Sequence, residues 1–187
     1  MSDDRALRQY NAETAFVLIG DLVEVYLDAH AADGAFYNED RYRRQLAGHM
    51  NVPGWTLVTA QVRGRLVGYA YGFPLPEKTR WWEGIQGSIP PGFTNEDGHR
   101  TFALSELLVR PDRQRQGIAR ALHDELIGSR PEPRMTLLTR PDNAPAQSAY
   151  MSWGWQKITQ LRPAWEDAPI FDVFLRDAPM TDGPMPS

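Results

Sequence analysis

The chain has 187 residues, of which 42% are hydrophobic, and its formal net charge is −4. This length and composition suit one globular domain with a full-sized core, which we expect over residues 1–177. The negative net charge gives no general attraction to nucleic acid or to an anionic membrane surface. The sequence contains no cysteine, which excludes a disulfide framework, a thiolate metal site and a cysteine nucleophile.

The N-terminal sequence MSDDRALRQY is acidic and polar, and no apolar segment approaches the length of a membrane span. Neither a signal peptide nor a transmembrane helix is therefore expected. The resulting expectation is a cytoplasmic protein with no membrane partner.

The first part of the chain predicts a strand, two helices and a hairpin. In order, these are a strand over 5–10, a helix over 13–31, a helix over 38–47 and paired strands over 55–62 and 66–73. The first helix has an apolar stripe, Phe16, Ile19, Val23 and Tyr26, at spacings of three and four. Asn38 is the predicted N-cap of the second helix, which is polar enough to lie on the surface.

A long irregular segment, 74–100, separates these elements from the rest of the chain. Its aromatic residues argue against disorder, and loops of this length are often functional. After it come predicted strands over 101–109, 134–139, 155–160 and 170–177, a helix ending near 127 and a helix over 143–153. The tail, 178–187, is expected to be disordered. This order predicts an α/β fold with a mixed sheet flanked by helices.

The stretch RQRQGIARAL, residues 113–122, places two arginines and a glycine at the start of a predicted helix. A helix N-terminus carries partial positive charge, so Arg113 and Arg115 lie at the unfavourable end. A bound anion would resolve the conflict, because the unpaired N–H groups of a first turn bind anions and glycine permits close approach. The stretch lacks the Lys-Ser/Thr of a P-loop and the three glycines of a dinucleotide fingerprint.

The segment LLVRPDRQRQGIARAL, residues 107–122, resembles the acyl-CoA-binding motif of the GNAT superfamily of N-acyltransferases. The family pattern L-x-V-x-P, then Arg/Gln-x-x-Gly-x-Gly/Ala, is matched by Leu107, Val109, Pro111, Gln114, Gly117 and Ala119. The resemblance implies that main-chain N–H groups of this segment bind the coenzyme A pyrophosphate and that the strand edge pairs with pantetheine. It assigns to acetyl-CoA the residues Leu107, Leu108, Val109, Gln114, Arg115, Gln116, Gly117, Ile118, Ala119 and Arg120. Arg113, Arg115 and Arg120 would add positive charge near the phosphates.

A second segment, NAPAQSAYMSWGW at residues 143–155, resembles a later motif of the same family: Asn, then Ala, an aromatic residue and Gly-Phe/Trp. The resemblance implies that Asn143 contacts pantetheine or cofactor and that Tyr150 lies near the coenzyme A sulfur. Tyr150 shares a helix face with Ala146 and Trp153, so a plain core position is the alternative. The family also implies an α/β fold with a mixed, mostly antiparallel central sheet flanked by about four helices.

Acyl transfer from a thioester to an amine requires a neutral amine, donors for the developing oxyanion and a proton for the departing thiolate. An alkyl amine has a pKa of about 10, so it must lose a proton first. In the family, a backbone N–H of the coenzyme strand contacts the thioester carbonyl, and we assign this donor to Val109. Tyr150 is the candidate general acid.

Glu106 is the candidate base or substrate anchor. Strand alternation places it on one face with Phe102, Leu104 and Leu108, so its carboxylate lies among apolar residues. A buried, unpaired carboxylate is costly and needs a partner or a task. The family often places a general base, acting directly or through water, on this strand. The alternative is a structural ion pair with Arg63 or Arg65.

The segment 74–100 lies where the family builds its acceptor site. Trp81, Trp82 and Glu83 are assigned to the substrate, and Phe93, Glu96 and Asp97 would complete an aromatic, acidic wall suited to a cationic amine. The alternative is a lid that only covers core. His99 is a weaker candidate for proton transfer. His30, His49 and His123 lack metal-ligand spacing, and no metal is expected.

The sequence thus predicts a transferase that moves an acetyl group from acetyl-CoA to a primary amine by direct attack in a ternary complex. Two alternatives stay open, a transferase for a larger acyl-CoA and a non-catalytic CoA-binding sensor. A nucleic-acid partner is not expected, because the basic cluster is short. The acceptor and the oligomeric state stay open, although the resemblance implies that homodimers are common.

Overall fold

A computed structural model describes residues 5–178 of the chain. Apart from Ala178, the expected disordered tail therefore lies outside the described residues. The strands are β1 (Arg5–Asn11), β2 (Thr56–Val62), β3 (Arg65–Pro74), β4 (Thr101–Val109), β5 (Arg134–Thr139), β6 (Gln156–Leu161) and β7 (Phe171–Asp177). The α-helices are α1 (Ala12–Ala15), α2 (Ile19–Ala29), α3 (Glu39–Met50), α4 (Ile118–Gly128) and α5 (Ala144–Ser152).

The strands form a seven-stranded sheet in the order β1-β2-β3-β4-β5-β7-β6. The pairs β1–β2, β2–β3, β5–β7 and β6–β7 are antiparallel. The predicted fold class, a mixed and mostly antiparallel sheet with flanking helices, is therefore confirmed. Strands 101–109 and 134–139 have the predicted bounds, and the other predicted strands differ from the observed ones by one residue at one or both ends.

The chain divides into two compact units. The first comprises Met1–Pro74 and Ala103–Arg130, and the second comprises Leu75–Phe102 and Pro131–Ser187. The first unit contains β1 to β3, most of β4 and the helices α1 to α4. The second unit contains the long irregular segment, β5 to β7 and α5.

The predicted continuous helix over 13–31 is interrupted. A 3-10 turn over Phe16–Leu18 separates α1 from α2. Asn11 caps α1, because its side chain accepts from the Thr14 N–H at 2.9 Å and Thr14 Oγ1 accepts from the Asn11 N–H at 3.1 Å. The tighter 3-10 winding shifts the side-chain register, and Phe16 is 70% exposed. Its placement in the apolar stripe was wrong, whereas Val23 is buried as predicted.

The second helix begins as predicted and runs longer. Asn38 caps α3 by accepting from the Arg41 N–H at 3.0 Å, and the helix continues to Met50, beyond the predicted end near 47. Most of its residues are polar, but Tyr42 and Leu46 are buried. One edge of this surface helix therefore reaches the core of the first unit.

The core of the first unit lies against β2 and β3, whose residues are almost all buried. The helix α4 packs on this core with one apolar face, since Ile118, Leu122 and Leu126 are buried. Gly68 on β3 permits a close approach to β4: a Cβ at this position would lie 2.7 Å from the Leu108 carbonyl oxygen. Glycine at this position therefore lets β3 lie close to its sheet neighbour β4, the strand that leads into the coenzyme motif.

Candidate active site

The connection from β4 to α4 carries the predicted coenzyme segment. β4 is buried over Thr101–Leu104, becomes half-buried over Ser105–Leu108 and is buried again at Val109. A 3-10 turn, Pro111–Arg113, follows the strand, and Gly117 is the N-cap residue of α4, with φ +75°. The segment therefore changes from a covered strand to an exposed loop over the predicted motif.

Two buried polar contacts fix the start of this loop. The guanidinium of Arg110 is 3% exposed; its Nε donates to the Leu66 carbonyl at 2.9 Å and its Nη1 to Asp28 at 2.6 Å. Gln114 donates from Nε2 to the Val109 carbonyl at 3.2 Å. The last residue of β4 is thus held by a side chain of the predicted motif, and the next residue is fastened to β3 and α2.

The first turn of α4 presents unpaired backbone donors. The first helical bond runs from the Ala121 N–H to the Gly117 carbonyl, and within residues 5–178 no backbone acceptor meets the N–H of Ile118 or Ala119. A Cβ at Gly117 would meet no atom within 4 Å, so the space in front of this turn is open. Exposed Arg115, at φ +58°, lies beside it. Unpaired amides, open space and a cation are what an anionic group requires.

The other two arginines of the motif have acidic neighbours. Arg113 Nε lies 3.8 Å from an Asp112 carboxylate oxygen, and Arg120 Nε lies 2.7 Å from Asp124 on the same helix. Both pairs are solvent-exposed enough to be weak. Breaking either of these ion pairs to meet an anion would therefore cost little free energy.

Glu106 is the one acidic residue of β4, and its carboxyl group is perturbed by its surroundings. Its Oε1 accepts from Gln45 Nε2 at 3.0 Å. Burial raises the pKa of Glu106 from 4.5 to about 7, and the Gln45 hydrogen bond acts in the opposite direction. The alternative ion pair with Arg63 or Arg65 is not formed among residues 5–178, where Arg65 instead meets Asp112 at 3.4 Å.

Four buried phenols lie near enough to this carboxylate for its charge to act on them, and we call them the tyrosine cluster: Tyr26, Tyr42, Tyr69 and Tyr71. Burial is the main cause that raises the pKa of each phenol, and the charge of Glu106 adds to it in every case. The rings of Tyr26 and Tyr42 stack at 3.9 Å, and the hydroxyls of Tyr42 and Tyr69 are 2.5 Å apart. Glu106 thus lies beside aromatic hydroxyls, where the sequence had placed it among apolar residues only.

His49 lies beside the tyrosine cluster. Its Nδ1 lies 3.1 Å from the Tyr71 hydroxyl and 3.4 Å from Ser105 Oγ. Burial lowers the pKa of His49 to about 4, so the imidazole is neutral at neutral pH. Near neutral pH the group that changes charge in this cluster is therefore Glu106.

The second unit carries the later motif on α5. Asn143 caps this helix by accepting from the Ala146 N–H at 3.2 Å. Gln147 on α5 donates to buried Asp172 at 2.7 Å, and Lys157 lies 2.9 Å from the same carboxylate, so α5 is fastened to β7 and β6. The Tyr150 ring contacts Trp153 edge-on at 5.6 Å between centroids. Tyr150 is half-buried.

Three residues of the segment 74–100, namely Trp82, Phe93 and Glu96, make contacts within the second unit. Trp82, 5% exposed, donates from Nε1 to Glu96 Oε1 at 3.0 Å, and the same oxygen lies 2.7 Å from Arg134 Nη2. The Trp82 and Phe93 rings meet edge-on at 5.3 Å, and the Arg134 guanidinium lies 4.8 Å from the Phe93 ring centre. For these residues the alternative interpretation, a segment that covers core, describes the contacts.

The other predicted residues of this segment are more accessible. Trp81 is half-buried, and Glu83 is half-buried and pairs with Arg80 at 2.7 Å. Asp97 is exposed and accepts from the His99 N–H at 2.8 Å. Trp81 and Glu83 stay predictions as substrate contacts, and exposed His99 stays a weak candidate.

Sequence reasoning missed Gln45, His49 and the hydroxyls around Glu106. The alternation of Tyr69 and Tyr71 along β3 was visible, and it places both rings on one face of the strand. What the sequence lacked was a signal that α3 lies against the same face. Within residues 5–178, no set of three or more His, Asp or Glu side chains is grouped to hold a metal ion, and no helix is both long and apolar enough to cross a membrane.

Solved structures of similar fold cover nearly the whole chain. They include the ribosomal-protein-S18-alanine N-acetyltransferase of Escherichia coli (17% identity, 98% of this chain and 99% of that chain, TM-score 0.63). An aminoglycoside 6'-acetyltransferase of type Ii is 17% identical (94% and 99%, TM-score 0.66). A Salmonella typhimurium protein whose structure contains its cofactor acetyl-CoA is 16% identical (97% and 98%, TM-score 0.63). These likenesses establish the fold.

No curated protein matches the sequence significantly. The sequence profile of the acetyltransferase (GNAT) family, however, matches residues 21–155, which include Glu106, the coenzyme segment and Tyr150. This match spans well over half of the chain. The chain therefore belongs to the acetyltransferase (GNAT) family.

Proposed function

We propose that this protein transfers an acetyl group from acetyl-CoA to a primary amine of a small molecule or peptide, by direct attack in a ternary complex. One observation carries the proposal. A carboxylate whose pKa is raised by burial to about 7, that of Glu106, lies on the strand that runs directly into a glycine-opened helix. A group that titrates near neutral pH is suited to take a proton from an amine.

The coenzyme segment fits an anionic ligand with a pyrophosphate. The N–H groups of Ile118 and Ala119, the open space at Gly117 and exposed Arg115 are the supporting features. Arg113 and Arg120 would reach further phosphate oxygens at the expense of weak surface pairs. Leu107, Leu108 and Val109 would offer the half-buried end of β4 to pantetheine, as the family resemblance implies, with Gln114, Gln116 and Asn143 beside the ligand.

Acetyl-CoA supplies the acetyl group as an activated thioester. In the overall transfer the amine nitrogen forms a bond to the acetyl carbon and the carbon–sulfur bond breaks. An amine that arrives as an ammonium group loses two protons, of which one passes to solvent and the other balances the proton that the sulfur gains. Glu106 takes the first of these protons, directly or through a water molecule, and releases it to solvent. The Val109 N–H stabilises negative charge on the acetyl oxygen, and the Tyr150 hydroxyl gives a proton to the thiolate.

The acceptor is proposed only as a class. Trp81 and Glu83 suit a cationic amine, by aromatic and charge contacts. Similar structures belong to enzymes named for an alanine of a ribosomal protein and for aminoglycosides. A first panel of acceptors therefore contains a peptide with an N-terminal alanine, an aminoglycoside, a polyamine and a lysine-containing peptide.

Isothermal titration with acetyl-CoA tests the coenzyme site, with dephospho-CoA and ATP as competitors of lower expected affinity. Arg115→Gln should weaken binding, whereas Arg44→Gln, an exposed change on α3, should not. Thiol release with the acceptor panel then tests transfer. Binding without thiol release from any acceptor would indicate a CoA-binding sensor, and turnover only with longer acyl-CoA donors would indicate a different acyltransferase.

The role of Glu106 has its own kinetic test. The kcat/KM for the acceptor should rise with pH through about 7, because the carboxylate must be ionised to act as a base. Glu106→Gln should lower kcat by about a hundredfold or more while leaving the affinity for acetyl-CoA unchanged. Full activity of Glu106→Gln across this pH range would remove Glu106 from the mechanism.

A further inference from the structure

Gln45 makes a contact with Glu106 that the predicted site does not contain. Its Nε2 lies on α3, 3.0 Å from Glu106 Oε1 on β4. Among residues 5–178 no other side chain donates to the Glu106 carboxylate, so Oε2 receives no hydrogen bond from this part of the chain. Gln45 therefore holds Oε1 of Glu106, and Oε2 can accept a hydrogen bond from a ligand.

We infer that Gln45 is a positioning residue, which fixes Glu106 through one carboxylate oxygen and reserves the other for the acceptor amine or an intervening water. This inference rests on the proposed function, in which Glu106 takes the amine proton. It goes beyond that function because it assigns a specific task to a residue that contacts neither reactant. Glu106 would otherwise be free to turn between its staggered rotamers.

An amide is suited to this task because it donates without titrating. A lysine in its place would hold Glu106 ionised and weaken it as a base, and a second carboxyl would compete for the same proton. The Gln45 hydrogen bond favours the ionised form of Glu106 while burial disfavours it. The balance of the two keeps the pKa of Glu106 near neutral pH.

Gln45 lies beside the tyrosine cluster. Gln45 and Ser105 both act to lower the pKa of the Tyr71 phenol, against the larger effect of burial, and the Tyr71 hydroxyl lies 3.1 Å from His49 Nδ1. The charge of Glu106 acts on Tyr26 from α2, Tyr42 from α3, and Tyr69 and Tyr71 from β3. Gln45 from α3 is the group that hydrogen-bonds the carboxylate. The phenols stay protonated and His49 stays neutral near pH 7, so Glu106 should titrate there in a single step.

The test compares Gln45→Met, which keeps the length of the side chain and removes the donor, with Arg44→Met on the exposed face of the same helix. The carboxyl ¹³C signal of Glu106, identified by its loss in Glu106→Gln, is followed by NMR from pH 5 to 10. In Gln45→Met its midpoint should rise by about one pH unit, because a hydrogen bond to a charged group is lost. Arg44→Met should keep the wild-type midpoint.

The acidic limb of the rate profile should move by the same amount with the most active acceptor of the panel. At pH 6 the kcat/KM of Gln45→Met should then be at least tenfold below that of the wild type. The part of this loss that comes from the shifted midpoint should disappear at pH 9, and the part that comes from the lost orientation of Glu106 should remain. A loss that is equal at both pH values, with an unchanged carboxyl midpoint, would reduce Gln45 to a packing residue and overturn the inference.

The two proposals can fail separately. Absence of acetyl transfer by the wild type would refute the proposed function, while the NMR midpoint would still report whether Gln45 controls Glu106. If Gln45→Met does not fold, Gln45→Leu, which also removes the donor, serves instead, and the Glu106 midpoint should rise by a similar amount. A midpoint equal to that of the wild type in the folded variant contradicts the inference in either case.

Discussion

Glu106→Gln should make the protein more stable at pH 8 while lowering its kcat by about a hundredfold or more. The wild-type carboxylate is ionised at this pH in a position where burial disfavours its charge. The glutamine side chain is neutral and almost the same size, and its carbonyl oxygen can still accept the Gln45 hydrogen bond. The substitution therefore removes the free-energy cost of the buried charge and keeps the hydrogen bond to Gln45.

The size of this stabilisation follows from the difference between the pKa of Glu106 in the folded protein and its pKa in the unfolded chain. The pKa of Glu106 is about 7 in the folded protein and 4.5 in its ordinary setting, which corresponds to about 3 kcal/mol. Because the folded pKa is the higher one, the folded protein keeps a proton that the unfolded chain has released between these pH values. The free energy of unfolding of the wild type therefore falls as pH rises from about 4.5 to about 7, and the full cost is present above pH 7.

Urea unfolding of the wild type and of Glu106→Gln at pH 5, 6, 7 and 8 measures this effect. The variant should gain stability relative to the wild type as pH rises, reaching about 3 kcal/mol at pH 8. Glu125→Gln, which removes an exposed carboxylate from α4, is the matched control and should show no such trend. A stability difference that is the same at every pH, or a wild type that is the more stable protein at pH 8, would refute the buried-charge argument.

Three further substitutions test the scaffold. Glu96→Gln should lower the free energy of unfolding by about 3–5 kcal/mol, because it leaves the Arg134 guanidinium without its buried partner; urea unfolding beside the exposed control Asp97→Asn measures this, and equal midpoints would contradict it. Gly68→Ala should raise the KM for acetyl-CoA and lower the free energy of unfolding by about 1–3 kcal/mol, because the new Cβ would lie 2.7 Å from the Leu108 carbonyl oxygen. Unchanged steady-state kinetics and an unchanged melting temperature would contradict this prediction. Arg110→Lys should lower the melting temperature measured by calorimetry, since an ammonium cannot replace the separate guanidinium bonds to the Leu66 carbonyl and Asp28, and a wild-type melting curve would show that these bonds are dispensable.

The strands and helices that sequence predicted well are those with strong local signals. β4 and β5 are short apolar runs with clear ends, and their bounds were found to the residue. Asn38 was found as an N-cap because a cap depends on residues within one turn of the helix. The 3-10 turn at 16–18 was missed because an apolar residue such as Phe16 fits the helical period whether or not the helix continues.

The parts of the site that could not be predicted depend on contacts between distant residues. Gln45 lies 61 positions before Glu106, and its residue type alone is typical of an exposed helix face. Likewise, Trp82 and Glu96 have the composition of a substrate wall, but Arg134, 38 positions after Glu96, draws the carboxylate inward. An aromatic and acidic loop has the same sequence pattern in either role, and only the position of the opposing cation decides between them.

The cost of burying Glu106 bears directly on its proposed role as a base. A carboxylate at the surface would titrate near 4 and would hold a proton from an ammonium group only weakly. Burial beside the tyrosine cluster raises its proton affinity, but with no donor the same burial would favour the protonated acid, which is no base. One neutral donor from Gln45 offsets part of that effect and leaves an oxygen uncommitted. A base that works near pH 7 therefore requires both the buried phenols and the single amide, and loss of either should move its titration in a known direction.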